Sequence, residues 1–168
     1  MKRIVIFIAV LVVFNMGSTY IANLSKAHRD DSGKVTSAGS ANVTELTVGD
    51  CISKHEAIPN AGPSSSGSFK DSDVSLVPCT DKHEWEVYSK QAADITSFNH
   101  QKLVTEAQKV CGSTFETFVG VPYNDSRLSV YFYTPTSDSW DNGDRNITCL
   151  TGKGNHGTVS GTLQNYSQ

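Results

Sequence analysis

The chain has 168 residues, four cysteines and a formal net charge of −3 at pH 7, and setting aside Lys2 and Arg3 leaves 12 basic residues against 17 acidic ones. That mildly acidic balance argues against nucleic acid or an anionic lipid surface held through bulk charge. The length of about 125 residues from Thr44 onward suits one domain with a real core rather than two.

The first 25 residues read as a membrane anchor or a signal peptide. Lys2 and Arg3 precede an unbroken apolar run over residues 4–14, and counting on to Ala22 reaches the roughly 20 residues that span a bilayer. The basic flank stays in the cytoplasm and sends the rest of the chain outside. A cut after Ala22 would place bulky Tyr20 where a small residue is wanted, so the pattern leans to an uncleaved anchor, with a removed signal and a secreted domain as the alternative. Residues 26–44 lack aromatics and are dominated by Ser, Gly, Ala and charge, which reads as a flexible tether. Residues 45–168 then form the extracytoplasmic domain.

Within that domain, "LTVGDCI" (46–52) is expected as a first strand with a kink or bulge at Gly49 and Asp50. Residues 56–73 are Ser-, Gly- and Pro-rich and read as an exposed excursion. "VSLVPC" and "EWEVYSKQ" are strand material, with Pro78 marking the break. From Asn99 as N-cap, Leu103, Val104, Ala107, Val110, Cys111, Phe115 and Phe118 fall at steps of three and four, one apolar helix face closed by Gly120 and Pro122. "LSVYFY" (128–133) and "NITCLT" (146–151) alternate as strands, "TGKGNHG" is a turn lacking the ending of a phosphate loop, and a last strand is expected near residues 158–163. The fold class is therefore α+β: one central amphipathic helix on a mostly antiparallel sheet.

The four cysteines, Cys51, Cys79, Cys111 and Cys149, read as two disulfides. Cys111 on the apolar helix face and Cys149 beside Ile147 point into one core, which leaves Cys51 to pair with Cys79 across the excursion. Two alternatives use the same residues. Cys51, His55, Cys79 and His83 repeat a Cys-x-x-x-His spacing and make a donor set zinc accepts. "VCGSTF" is similar to the nucleophile signature of papain-type proteases, but Cys111 sits late in its helix rather than at the N-terminus that would activate a thiolate. No metal and no cofactor is expected.

"SDSWDNGDR" offers Asp138, Asp141 and Asp144 but sets Trp140 where a calcium loop wants oxygen, so a turn at Asn142-Gly143 with Trp140 anchored in the core is the reading. Tyr131 and Tyr133 lie on the strand face opposite Leu128, Val130 and Phe132. They form either an exposed platform for a glycan or partner protein or a face covered by another loop. His83 shares the parity of Trp85 and Val87, which suggests a partly buried ring bonded to a backbone carbonyl or to Glu86. The candidate binding residues are thus Tyr131, Tyr133, Trp140 and His83. The five Asn-x-Ser/Thr sites, at Asn23, Asn42, Asn124, Asn146 and Asn165, are glycan acceptors only in a eukaryote.

Taken together, "VGDCI", "VPCTDKHEWEVY", "VCGSTFETFVG" and "YTPTSDSWDNGDRNITCL" resemble the signature blocks of the septum formation family, small extracytoplasmic domains found mainly in actinobacteria. The resemblance covers about residues 46–163. It is carried by Val48, Gly49, Asp50, Cys51, Pro78, Cys79, His83, Glu86, Val87, Cys111, Phe115, Val119, Gly120, Pro135, Trp140, Gly143, Asp144, Arg145 and Cys149. Lys82 departs from the proline usual before the histidine, and the tail is short. The resemblance implies a non-enzymatic envelope protein that binds a cell-division or cell-wall partner. An envelope hydrolase or a thiol- or metal-dependent enzyme using His83 or a cysteine is the alternative.

Overall fold

The computed structural model describes residues 26–53 and 73–167. Among these residues eight strands and two α-helices follow in the order β1 (His28–Arg29), β2 (Val35–Ser37), β3 (Gly39–Asn42), β4 (Cys51–Ile52), β5 (Asp73–Val77), β6 (Trp85–Ala92), α1 (His100–Val119), β7 (Ser129–Tyr133), α2 (Ser137–Asp141) and β8 (Asn146–Gly152). Six strands pair in the order β3-β5-β4-β6-β8-β7, every neighbour antiparallel, while β1 and β2 form a separate hairpin. The α+β expectation, helix on antiparallel sheet with two disulfides, is what the chain adopts.

Helix α1 begins and ends where its caps dictate. The Asn99 side chain accepts from the Lys102 amide at 2.9 Å, satisfying one of the orphan donors of the first turn. Gly120 ends it with φ of 89°, a left-handed conformation that costs a Cβ-bearing residue most. Leu103, Ala107, Cys111, Phe115 and Val119 recur at every fourth residue and are all buried. Ala107, Cys111, Phe115 and Val119 share one core with Leu128 and with Tyr88, Ile147 and Cys149 from the helix-side face of the sheet.

The opposite face carries a second core of Val35, Leu46, Ile52, Val74, Leu76, Val87 and Leu150. Strand β6 serves both cores, because alternation turns Val87 to one side and Tyr88 to the other, and a bulge interrupts its register with β8 between Val87 and Ser89. A sheet buried on both faces needs a second cover, and the chain supplies it from residues expected to be a tether. Residues 26–44 instead form β1, β2 and β3 and enter a one-turn 3-10 helix at Val43–Glu45. Val35 and Leu46 plug the second core, and Lys90 Nζ donates to the carbonyls of Thr44 and Leu46 at 2.8 and 2.7 Å.

An ion pair locks this cover to the sheet. Both Arg29 guanidinium nitrogens reach the carboxylate of Asp50, Nη2 to Oδ2 at 2.7 Å, and the Thr47 amide donates to the same Oδ2 at 2.8 Å. Asp50 is only 2 % exposed, so removing its cation leaves a buried charge whose side-chain oxygens keep only the Thr47 amide and hydroxyl as donors. Arg29→Ala is expected to lower stability by about 1–3 kcal/mol in urea unfolding, with Arg29→Lys recovering only part because an ammonium cannot serve both oxygens. An unchanged midpoint would show that the hairpin is not fastened here.

Other boundaries differ from expectation. Only Cys51–Ile52 of the first expected strand is a strand, because Gly49 at φ of 90° turns the chain, and the Gly49 amide and Asp50 carbonyl still bond Val87 on either side of the kink. Residues 158–163 make no ladder: Val159 bridges His83 alone, and Gly161 at φ of 88° then bends the chain away. Residues 137–141 form the short helix α2, capped by the Thr136 side chain, before the expected turn at Gly143. Among the described residues no helix is long and apolar enough to cross a membrane. The N-terminal segment, His55 and nearly all of the Ser/Gly excursion lie outside the described residues.

Candidate functional site

The two expected bridges are both present, Cys51 with Cys79 and Cys111 with Cys149. No cysteine is free, so a thiol nucleophile at Cys111 has no thiol in this state. Cys51, Cys111 and Cys149 are sealed, whereas Cys79 is half-buried at the end of β5.

Tyr131 and Tyr133 point to the second core while Val130 and Phe132 point to the first, the division their parity requires. Neither of the two situations expected for the pair holds outright. The tyrosines pack at the rim of the second core, 5.6 Å apart edge to face, with Trp85 6.0 Å from Tyr131. Burial pushes the Tyr131 phenol up to about 12 and Tyr133 higher still, so both stay protonated hydrogen-bonding groups at any physiological pH. Trp140 is 6 % exposed, with the Arg145 guanidinium 3.7 Å over its ring and Nη1 bonding its carbonyl, a brace for the start of β8. It is an anchor rather than a contact surface.

His83 is wholly buried, deeper than its expected partial burial. Its backbone exchanges two hydrogen bonds with Val159, both at 2.9 Å, and the next amide, Glu84, bonds Ile52. The ring Nδ1 lies 2.9 Å from the Asp81 carbonyl oxygen. Among the described residues Nε2 is buried without a hydrogen-bond partner. Cys51 stands opposite Glu86 in the β4–β6 register. Cys51 Sγ, a ring nitrogen of His83 and a carboxylate oxygen of Glu86 all lie within 4.8 Å of one another.

Glu86 is the residue that alternation alone misplaces. Set between Trp85 and Val87 it should face outward, yet it is 2 % exposed because the C-terminal segment crosses it. Thr162 Oγ1 donates to Oε1 at 2.7 Å and the Leu163 amide to Oε2 at 2.5 Å. Burial holds the carboxyl above its ordinary value, partly offset by those two donors. The folded state thus binds this proton more tightly than the unfolded chain. Its contribution is full at pH below the ordinary value and is lost as pH rises through the elevated folded value. Glu86→Gln, which keeps an acceptor for Leu163, is therefore expected to gain stability relative to the wild type between acid and neutral pH. Urea midpoints across that range check this; a constant difference would mean that Glu86 does not titrate in the window.

The four-ligand set first read from the sequence is not assembled in this state, since Cys51 and Cys79 are bonded to each other and His55 lies outside the described residues. The structure instead brings Glu86 to His83 and Cys51.

Residues 60–167 match the family model described as septum formation. The Val-Gly-Asp-Cys block, with Cys51, lies just ahead of the matched span, so the Cys51–Cys79 bridge ties the two together. No curated protein and no solved structure matches the chain.

Proposed function

Because the chain belongs to the septum formation family, we propose that it is a non-enzymatic domain held outside the cytoplasm by its N-terminal segment, where it binds a division or cell-wall partner. The family match supports the septum-formation-like role. The apolar run behind Lys2 and Arg3, together with two disulfides in one small domain, supports the compartment.

One observation carries the choice of binding over catalysis: among the described residues His83, the candidate base read from the sequence, and Glu86 beside it are sealed in the interior and tied to backbone. A catalytic base must come within hydrogen-bond reach of the proton it abstracts. The aromatic rim of Trp85, Tyr131 and Tyr133 on and near edge strand β7 is the contact face in this reading, apolar in body with phenol groups for a glycan or protein backbone.

The test is the position in dividing cells of the full chain fused at its C-terminus to a fluorophore that folds outside the cytoplasm. Enrichment at the division site is the expected result. A uniform envelope signal, or release into the medium, overturns the septal role.

A further inference from the structure

We propose that reducing the Cys51–Cys79 bridge turns this corner of the fold into a four-ligand site for a zinc-class divalent cation, held by the Cys51 and Cys79 thiolates, His83 Nε2 and one Glu86 carboxylate oxygen. The proposal is independent of the septal role. It starts from His83. A carbonyl oxygen only accepts, so the neutral ring carries its hydrogen on Nδ1, against Asp81, and presents a lone pair at Nε2. That lone pair is buried without a donor, an arrangement natural proteins rarely leave. A histidine whose other nitrogen is already fixed by a carbonyl is the form in which imidazole binds metal.

The remaining ligands are in reach. Sulfur, nitrogen and carboxylate oxygen lie within 4.8 Å of one another, and the four ligands of a tetrahedral zinc stand roughly 3.3–3.8 Å apart, given bonds of about 2.0–2.3 Å. Cys79 Sγ, bonded to Cys51, supplies the fourth. Each Glu86 oxygen accepts one protein hydrogen bond and keeps a lone pair. Two thiolates, an imidazole and a carboxylate make a donor set that suits zinc better than the harder calcium or magnesium.

The intact disulfide blocks the site, because its sulfurs are not thiolates. Opening takes two electrons and two protons: an entering dithiol is oxidised to its own disulfide while Cys51 and Cys79 become thiols. Metal binding then releases those two protons. Cys79 is the more exposed residue of the pair, whereas both residues of the Cys111–Cys149 bridge are sealed, so the first bridge is expected to open while the second still holds the helix.

The experiment uses the full chain, oxidised or reduced with a phosphine, which takes up the oxygen of one water as the disulfide takes up its hydrogens. Cobalt(II) is the probe. Only the reduced protein should give one equivalent of the intense visible bands of a tetrahedral thiolate site, displaced by zinc. Zinc should shield Cys51 and Cys79 of the reduced wild type from alkylation, read by peptide mass, which needs no variant to fold. His83→Gln, checked for native circular dichroism, should bind more than about 100-fold more weakly. Absent bands, alkylation of Cys51 and Cys79 that zinc does not slow, or undiminished binding in His83→Gln would each overturn the proposal.

Discussion

Replacing Cys111 and Cys149 together with alanine is expected to destabilise the domain by about 4 kcal/mol, read as a lower denaturant midpoint. The bridge spans 38 residues and joins the middle of α1 to β8, the strand between β6 and β7. Its loss frees the unfolded chain and leaves two small voids in the first core, where both sulfurs are sealed. The Tyr88 hydroxyl donates to the Cys111 carbonyl at 2.8 Å, so a loosened helix also strands a buried phenol. The corresponding Cys51→Ala/Cys79→Ala chain loses a bridge of 28 residues with one half-buried residue, and its cost should be smaller. The reverse order would mean that the second core and its N-terminal cover depend on their bridge more than the helix does on its own.

Phe115→Ala is the second large effect, about 3–5 kcal/mol. Phe115 is fully buried and meets Tyr88 and Tyr123 edge to face, with ring centroids 6.0 and 5.3 Å away. Truncation removes the ring's transfer energy, opens a cavity under the helix and takes away both aromatic contacts. Phe115→Leu, which refills much of that volume, should cost markedly less. Equal midpoints for the two variants would show that the region collapses around the smaller side chain.

The same helix marks how far local pattern carries. Asn99, Gly120 and the steps of three and four from Leu103 onward place α1 almost to the residue, since each cap or apolar neighbour lies within one turn of the group it serves. Strands β5, β7 and β8 follow from alternation, as in Val74 and Leu76 buried between exposed Asp73 and Ser75. The cysteine pairing follows because the faces of Cys111 and Cys149 are settled by their own elements. The family resemblance rested on short blocks of this kind, three of which fall within the matched residues 60–167.

The second core was not legible that way. Val35 is an isolated apolar residue in polar surroundings, and Leu46 reads as the start of a first strand, so neither is marked as a cover. Their burial follows from the sheet having a second apolar face, which appears only once β4, β5, β6 and β8 pair. The Asp50–Arg29 pair likewise joins groups 21 residues apart.

The candidate site divides along the same line. Residue types and spacing alone established a disulfide-stapled α+β domain with one amphipathic helix, and singled out His83 beside Cys79. Only the tertiary structure sealed His83, chose the Asp81 carbonyl as its bonded partner, buried Glu86 beside it and set both against Cys51. The bonds that hold Glu86 come from Thr162 and Leu163, 76 and 77 residues further along the chain. Periodicity records what a residue does within its own helix or strand. It carries no trace of which distant segment crosses a strand's outer face, and that crossing decides whether a carboxylate is solvated or buried.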